Sequence, residues 1–200
     1  MALYIVGAGG LGRETYDAAL AAGVDVAAFI DHRLNGSVVR GLPVLAPADA
    51  PAGGAYVVGI ADPHARRHVS ELMNGRGLTP VNIIHPQAIV APDTTFGSGC
   101  VVLGGAYLSS SVQIGDHVSV QYNATVGHDA ALADRTSVYP GANVAGSVVL
   151  DEDVTVGSNA VVLQGLKIER GTFVGAGAVV TRDLGPGLVV VGAPARPLRR

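Results

Sequence analysis

Six histidines and one cysteine are the side chains best suited to nucleophilic, acid–base or metal chemistry, and their spacing sorts them. His64 and His68 lie four apart on a predicted helix, a separation that puts both on one face. No H-E-x-x-H surrounds them, so a solvated face is the favoured reading over a metal site. His85 precedes Pro86 and reads as structural. His32 closes a predicted strand, beside any ligand that a crevice there would hold. His117 and His128 fall within a repeat described below. His128 is followed by Asp129, which makes a general base with a carboxylate to orient it and stabilise its cation. Neighbouring residues of a strand point to opposite sides, so the two can bond only where a corner bends the chain. Two solvated polar residues are the bland alternative, and spacing alone leaves both open.

The element that must position His128 is a repeat. Starting at Val90 and stepping by six gives sixteen apolar residues without a failure, through Phe96, Val102, Leu108 and on to Val180. The residue two places before each is mostly small or β-branched, as at Ala88, Cys100, Ala106, Val118 and Ala124, with Leu166 the exception. A period of six matches neither a helix nor a hairpin sheet and is the mark of a hexapeptide β-solenoid. Each hexad is one short strand and a corner, with the large and small apolar residues sharing the inner face. Three hexads close a triangular coil, so sixteen give just over five. Gly often follows the large residue, as at Gly97, Gly115, Gly127, Gly157 and Gly175, and is expected to supply positive φ at the corners. Cys100 is predicted to face inward, a poor place for a nucleophile. Periodicity does not fix handedness, and parallel crossovers are normally right-handed.

The segment before the repeat reads as strand 3–6, then Gly7-Ala8-Gly9-Gly10-Leu11-Gly12, a helix over 13–22, and a strand Val26 to Ile30 closed by Asp31. This is the order of a mononucleotide-binding unit, in which glycines let the backbone approach phosphate. A short strand after Gly41, a third clear strand from Ala55 to Ile60 and a helix over 63–75 follow. A whole dinucleotide normally needs two such halves, and only one precedes the repeat, so a single nucleotide fits better than a nicotinamide cofactor. Asp31 either contacts the ligand or only ends its strand.

Composition agrees with this division. Nearly half the chain is hydrophobic, yet only 4% is aromatic and Trp is absent, which suits a narrow interior of Val, Ile, Leu and Ala. A net charge of −3 gives no reason to expect nucleic acid or an anionic membrane as partner. No apolar run reaches the ~20 residues of a membrane span. The N-terminus carries no basic signal-type region, so a cytoplasmic protein is expected.

Taken together, the residues resemble the sialic acid O-acetyltransferase and bacterial nucleotide-sugar N-acetyltransferase family, within the hexapeptide acyltransferases. The carriers are Gly7 to Arg13, Phe29-Ile30-Asp31, Gly41 to Val44, Ile84-His85-Pro86, Gly127-His128-Asp129, the hexads, and Val191-Gly192-Ala193-Pro194-Ala195. The resemblance implies an α/β half-Rossmann nucleotide-binding domain (1–82) followed by a left-handed parallel β-helix (83–200). It implies a homotrimer, acetyl-CoA as donor and an amino or hydroxyl sugar as acceptor, with no metal. His128 would be the general base, Asp129 its orienting acid, and a backbone N–H near Gly146 the oxyanion donor. CoA contacts would fall near Ser137, Gly146, Ser158 and Ala176, with Arg196, Arg199 and Arg200 available to its phosphates. The acceptor's nucleotide would lie at Gly9, Gly10, Leu11, Asp31, His32 and Gly59. Ser137 and Leu11 depart from the family, which often has His at both. The competing readings are a non-catalytic nucleotide-sugar-binding protein, a metalloenzyme needing three clustered His, and an oxidoreductase.

Overall fold

A computed structural model describes residues 1–198. The chain forms two compact units, residues 1–86 with 98–101, and residues 87–97 with 102–200. Arg199 and Arg200, expected to be available to CoA phosphates, lie outside the described residues.

The first unit is a mostly parallel sheet flanked by two helices. Its elements are β1 (Leu3–Val6), α1 (Gly10–Ala21), β2 (Val26–Ile30), β3 (Val38–Val39), β4 (Leu42–Leu45), β5 (Ala55–Val58), α2 (Pro63–Gly75) and β6 (Thr79–Pro80). The spatial order is β3-β4-β2-β1-β5-β6. β1, β2 and β5 are almost fully buried apolar runs, as strands covered on both faces must be. β2 and β5 lie on opposite sides of β1. The connections therefore diverge at the carboxyl end of β1, the position where ligands of open α/β sheets bind. Asp62 caps α2 by accepting from the Ala65 N–H at 2.7 Å, with Pro63 in the first turn.

Two expectations need correction here. α1 begins at Gly10 rather than residue 13. The tight glycine loop turns the chain at once, and Gly9 is already the N-cap. β5 ends at Val58, two residues before Ile60. Gly59 leaves the strand direction to pack on α1, where a Cβ on Gly59 would come within 2.5 Å of the Gly12 Cα.

The second unit is a parallel β-solenoid. Two-residue strands stack on the strand eighteen residues later, as Tyr107 on Thr125 and Ala131 on Val149. One face carries the strands from Ile89–Val90 through Tyr107–Leu108, Thr125–Val126, Asn143–Val144 and Val161–Val162 to Val179–Val180. A second runs from Thr95–Phe96 to Lys167–Ile168, and the third includes Ser119–Val120, Ser137–Val138, Thr155–Val156 and Phe173–Val174. The inward aliphatics from Val102 to Val180 are all buried, and Val90 and Phe96 of the first coil are half-buried.

The corners differ from expectation. The glycines that follow the inward aliphatic do not have positive φ. That conformation belongs to the residue two places further on, at every sixth position from Gly99 to Gly177. Six of these positions are Gly, and the others are Ser, His, Asn, Asp or Arg, including Asn123, Asp129 and Asn159. Asn and Asp tolerate the left-handed region better than other side chains. The glycines after the aliphatic answer to stacking instead. A Cβ on Gly157 would lie 2.6 Å from the Val174 carbonyl oxygen and 2.8 Å from the Ala176 nitrogen of the next coil.

Candidate active site

The carboxyl ends of β1, β2 and β5 open into a cavity of about 820 Å³. All six residues expected to hold the acceptor's nucleotide line it: Gly9, Gly10, Leu11, Asp31, His32 and Gly59. A Cβ on Gly9 or Gly10 would meet no atom within 4 Å, so the loop presents bare backbone to the space. Gly12, by contrast, is packed away from it, since a Cβ there would run into the Gly7 carbonyl. The first intrahelical bond of α1 runs from Arg13 N–H to the Gly9 carbonyl. The N–H groups of Gly10, Leu11 and Gly12 precede it and carry the positive end of the helix dipole.

Asp31 ties this loop down. Its Oδ2 accepts from the Ala8 N–H at 3.0 Å, and its Oδ1 accepts from the N–H groups of Arg33 (2.9 Å) and Leu34 (3.3 Å). Burial pushes its pKa up, but the three backbone donors and the nearby His32 outweigh that and hold it below the ordinary carboxylate range. Both oxygens are thus occupied by the protein itself. Arg33 and His68 also line the cavity, together with Ala65, Val69 and Leu72 of α2. Sequence reasoning placed His68 on a solvated face and passed over Arg33. The signal available for His68 was its four-residue spacing to Leu72, parallel to that of Ala65 and Val69.

The second candidate centre is a solenoid corner. His128 and Asp129 are adjacent, yet His128 Nδ1 and Asp129 Oδ2 are 2.8 Å apart. The bend that allows this is the left-handed conformation of Asp129, φ 59°. Both side chains are more than half exposed. With Nδ1–H donating to the carboxylate, Nε2 carries the free lone pair. One coil further on is Gly146, and a Cβ there would lie 2.6 Å from His128 Nε2. The corner is held by the Ser147 N–H donating to the His128 carbonyl at 2.7 Å, and by Gly165 N–H donating to the Gly146 carbonyl at 3.0 Å. Among the described residues the Gly146 N–H donates to no acceptor. A lone-pair nitrogen, a carboxylate behind it and a free backbone donor beside it make up the parts of an acyl-transfer site.

The positions expected to meet CoA are more scattered. Ser158 and Ala176 occupy one corner column, eighteen residues apart, half-buried and exposed respectively. They flank the same face of the solenoid as the His128 corner, since the Asn143–Val144 and Val161–Val162 strands run between the two columns. Gly146 is buried and Ser137 is fully buried. The Arg196 side chain donates to the Ala195 carbonyl at 2.8 Å. Among the described residues no group of three or more His, Cys, Asp or Glu gathers as a metal site. No described helix is long and apolar enough to cross a membrane. Cys100 is buried, as expected.

Residues 2–73 match the PglD N-terminal domain family. The chain is 36% identical over 143 residues to GDP-perosamine N-acetyltransferase of Escherichia coli O157:H7, a match spanning 66% of this chain and 65% of that enzyme's length. Among solved structures, it is similar to PerB from Caulobacter crescentus in complex with CoA and GDP-perosamine. There the TM-score is 0.93 and the identity 30%, over 100% of this chain and 98% of that one. It is also similar to the acetyltransferase domain of PglB from Neisseria gonorrhoeae in complex with acetyl coenzyme A, with a TM-score of 0.88 and 33% identity over 98% of both chains.

A PglD-type α/β domain followed by a left-handed β-helix defines a hexapeptide acyltransferase. The chain belongs to the family of bacterial nucleotide-sugar N-acetyltransferases that includes GDP-perosamine N-acetyltransferase and PglB.

Proposed function

We propose that this protein moves an acetyl group from acetyl-CoA to an amino or hydroxyl group of a nucleotide-linked sugar, with His128 as general base. The observation that carries this reading is the 2.8 Å contact between His128 Nδ1 and Asp129 Oδ2, which leaves Nε2 beside Gly146. In the reaction the acceptor's nitrogen or oxygen attacks the thioester carbonyl and gives its proton to Nε2. Asp129 stabilises the imidazolium, and the Gly146 N–H stabilises the oxyanion. Collapse breaks the carbon–sulfur bond, and the proton passes from the imidazolium to the departing thiolate of CoA.

The complexes of the Caulobacter and Neisseria relatives with CoA, GDP-perosamine or acetyl-CoA support donor and acceptor classes of this kind. The cavity at Gly9, Gly10, Leu11, Asp31, His32 and Gly59 takes the acceptor's nucleotide. Ser158 and Ala176 take part in holding CoA, in a groove between the solenoids of a homotrimer. Ser137, being buried, acts there only through its neighbours.

The test is release of free thiol from acetyl-CoA against amino sugars, hydroxy sugars and their nucleotide conjugates, with wild type and His128→Ala side by side. Turnover with a nucleotide-linked acceptor that falls by ~100-fold or more in the variant supports the reading. Turnover untouched by the substitution removes His128 as base. Tight acceptor binding without any turnover makes the chain a binding protein.

A further inference from the structure

The cavity of the first unit has two chemically different sides. On the side of α1 and β2 lie bare backbone at Gly9 and Gly10, free N–H groups at the start of α1, and the side chains of His32 and Arg33. Two carboxylates also line the space, but Asp31 accepts from three backbone N–H groups and Asp62 caps α2. Asp62 keeps its second oxygen open, and the lining side chains able to donate to a ligand are His32, Arg33 and His68, none of which makes a side-chain hydrogen bond or ion pair among the described residues. Of these, His32 and Arg33, beside the start of α1, suit an anion.

The side formed by α2 is different. Ala65, His68, Val69 and Leu72 line the cavity from one stripe of the helix, since residues three and four apart share a face. Leu72 stays 40% exposed although it is apolar. Ile60, between β5 and α2, adds further apolar lining. An apolar slot with one imidazole suits a flat heterocycle, which buries its faces on aliphatic surface and leaves its polar edge to a hydrogen bond.

We propose that the cavity divides a nucleoside diphosphate between its two sides, with Arg33 holding the diphosphate and His68 acting as the residue that discriminates among nucleobases. This rests on the nucleotide reading of the cavity given above. His68 reads the base edge, so it acts on the difference between ligands. Arg33 meets a group common to all of them, so it acts on their shared affinity. Both side chains are exposed, and their removal leaves the core of the unit intact.

The experiment is isothermal titration of the full chain with UDP, GDP, dTDP and inorganic pyrophosphate, for wild type, Arg33→Ala and His68→Ala. The expected result is that Arg33→Ala weakens all three nucleotides by a similar factor of about ten, the loss of one charge-assisted hydrogen bond. His68→Ala is expected to change the ratio of affinities among the three by about fivefold or more, while pyrophosphate binding is unchanged. A His68→Ala protein whose base preference equals that of wild type overturns the assignment, as does one that loses pyrophosphate affinity. Wild type that binds none of the three nucleotides overturns the nucleotide reading itself, and this inference with it.

Discussion

The imidazole of His128 occupies the space that any side chain on Gly146 would need. A Cβ on Gly146 would lie 2.6 Å from Nε2 and 2.7 Å from Cε1 of the ring one coil before it. The stacking of coils thus makes Gly146 part of the histidine's seat. Gly146→Ala should push the ring off its position and lower kcat by about 100-fold, the cost of a misplacement near 1 Å. The ring is exposed and free to yield, so the melting temperature should change little. Steady-state kinetics with thermal melts checks both, and an unchanged kcat would separate Gly146 from the chemistry.

Asp129 holds the Nδ1–H tautomer of His128 from a left-handed corner position. Asn tolerates that backbone, but its amide group can donate to Nδ1 and so deprive Nε2 of its lone pair. Asp129→Asn should therefore fold with near wild-type stability and lose about 100-fold in kcat. The pH profile of kcat/KM in both proteins is the measurement, and equal profiles would sink the orienting role.

Two kinds of corner glycine should respond differently to alanine. Gly165 has φ 73° and open space around it, so Gly165→Ala should cost about 1–2 kcal/mol through backbone strain alone. Gly157 has ordinary φ but meets the backbone of the next coil, so Gly157→Ala must open the stack. Its cost should reach about 3 kcal/mol, at the upper end of overpacking effects. Denaturant titration of the two variants ranks them, and the reverse order would contradict the stacking argument.

The lowered pKa of Asp31 has a definite sign. A carboxylate held below its unfolded value stabilises the fold fully above that value, and the contribution is lost as pH falls through the lower, folded value. The contribution of Asp31 to the melting temperature should therefore be steady from neutral pH down to the ordinary carboxylate range and fall below it. In Asp31→Asn the drop over that acid window should shrink, because the group that titrates is gone. Melts at neutral and acid pH for both proteins test this.

Much of the fold was legible in the sequence because its determinants are local and periodic. The sixteen-fold run from Val90 to Val180 and the placement of Gly7 to Gly12 between strand and helix each follow from side-chain alternation and backbone permissiveness within a few residues. The cavity residues Gly9, Gly10, Asp31 and His32 could be named for the same reason, as they end strands or open a helix. Arg33 was missed because nothing in its immediate neighbours marks it, and the stripe of Ala65, His68, Val69 and Leu72 does not by itself say what it faces. The cavity that His68 faces is closed by Gly9, Gly10 and Asp31, which come much earlier in the chain.

By itself, then, the sequence determined a glycine-loop α/β unit followed by a solenoid of hexads, and singled out His128 and Asp129 as a pair. A period of six does not say which of the corner residues takes the left-handed turn, and the glycines that looked suited to it serve stacking instead. Nor does it say that Nε2 of His128 rests on Gly146 while the Gly146 N–H meets no acceptor among the described residues, or that Ser137 is sealed from solvent. Those facts were decided only by the tertiary structure. Closing three hexads into a coil sets residues eighteen apart in direct contact, and contact between coils determines which atoms are covered and which remain available for chemistry.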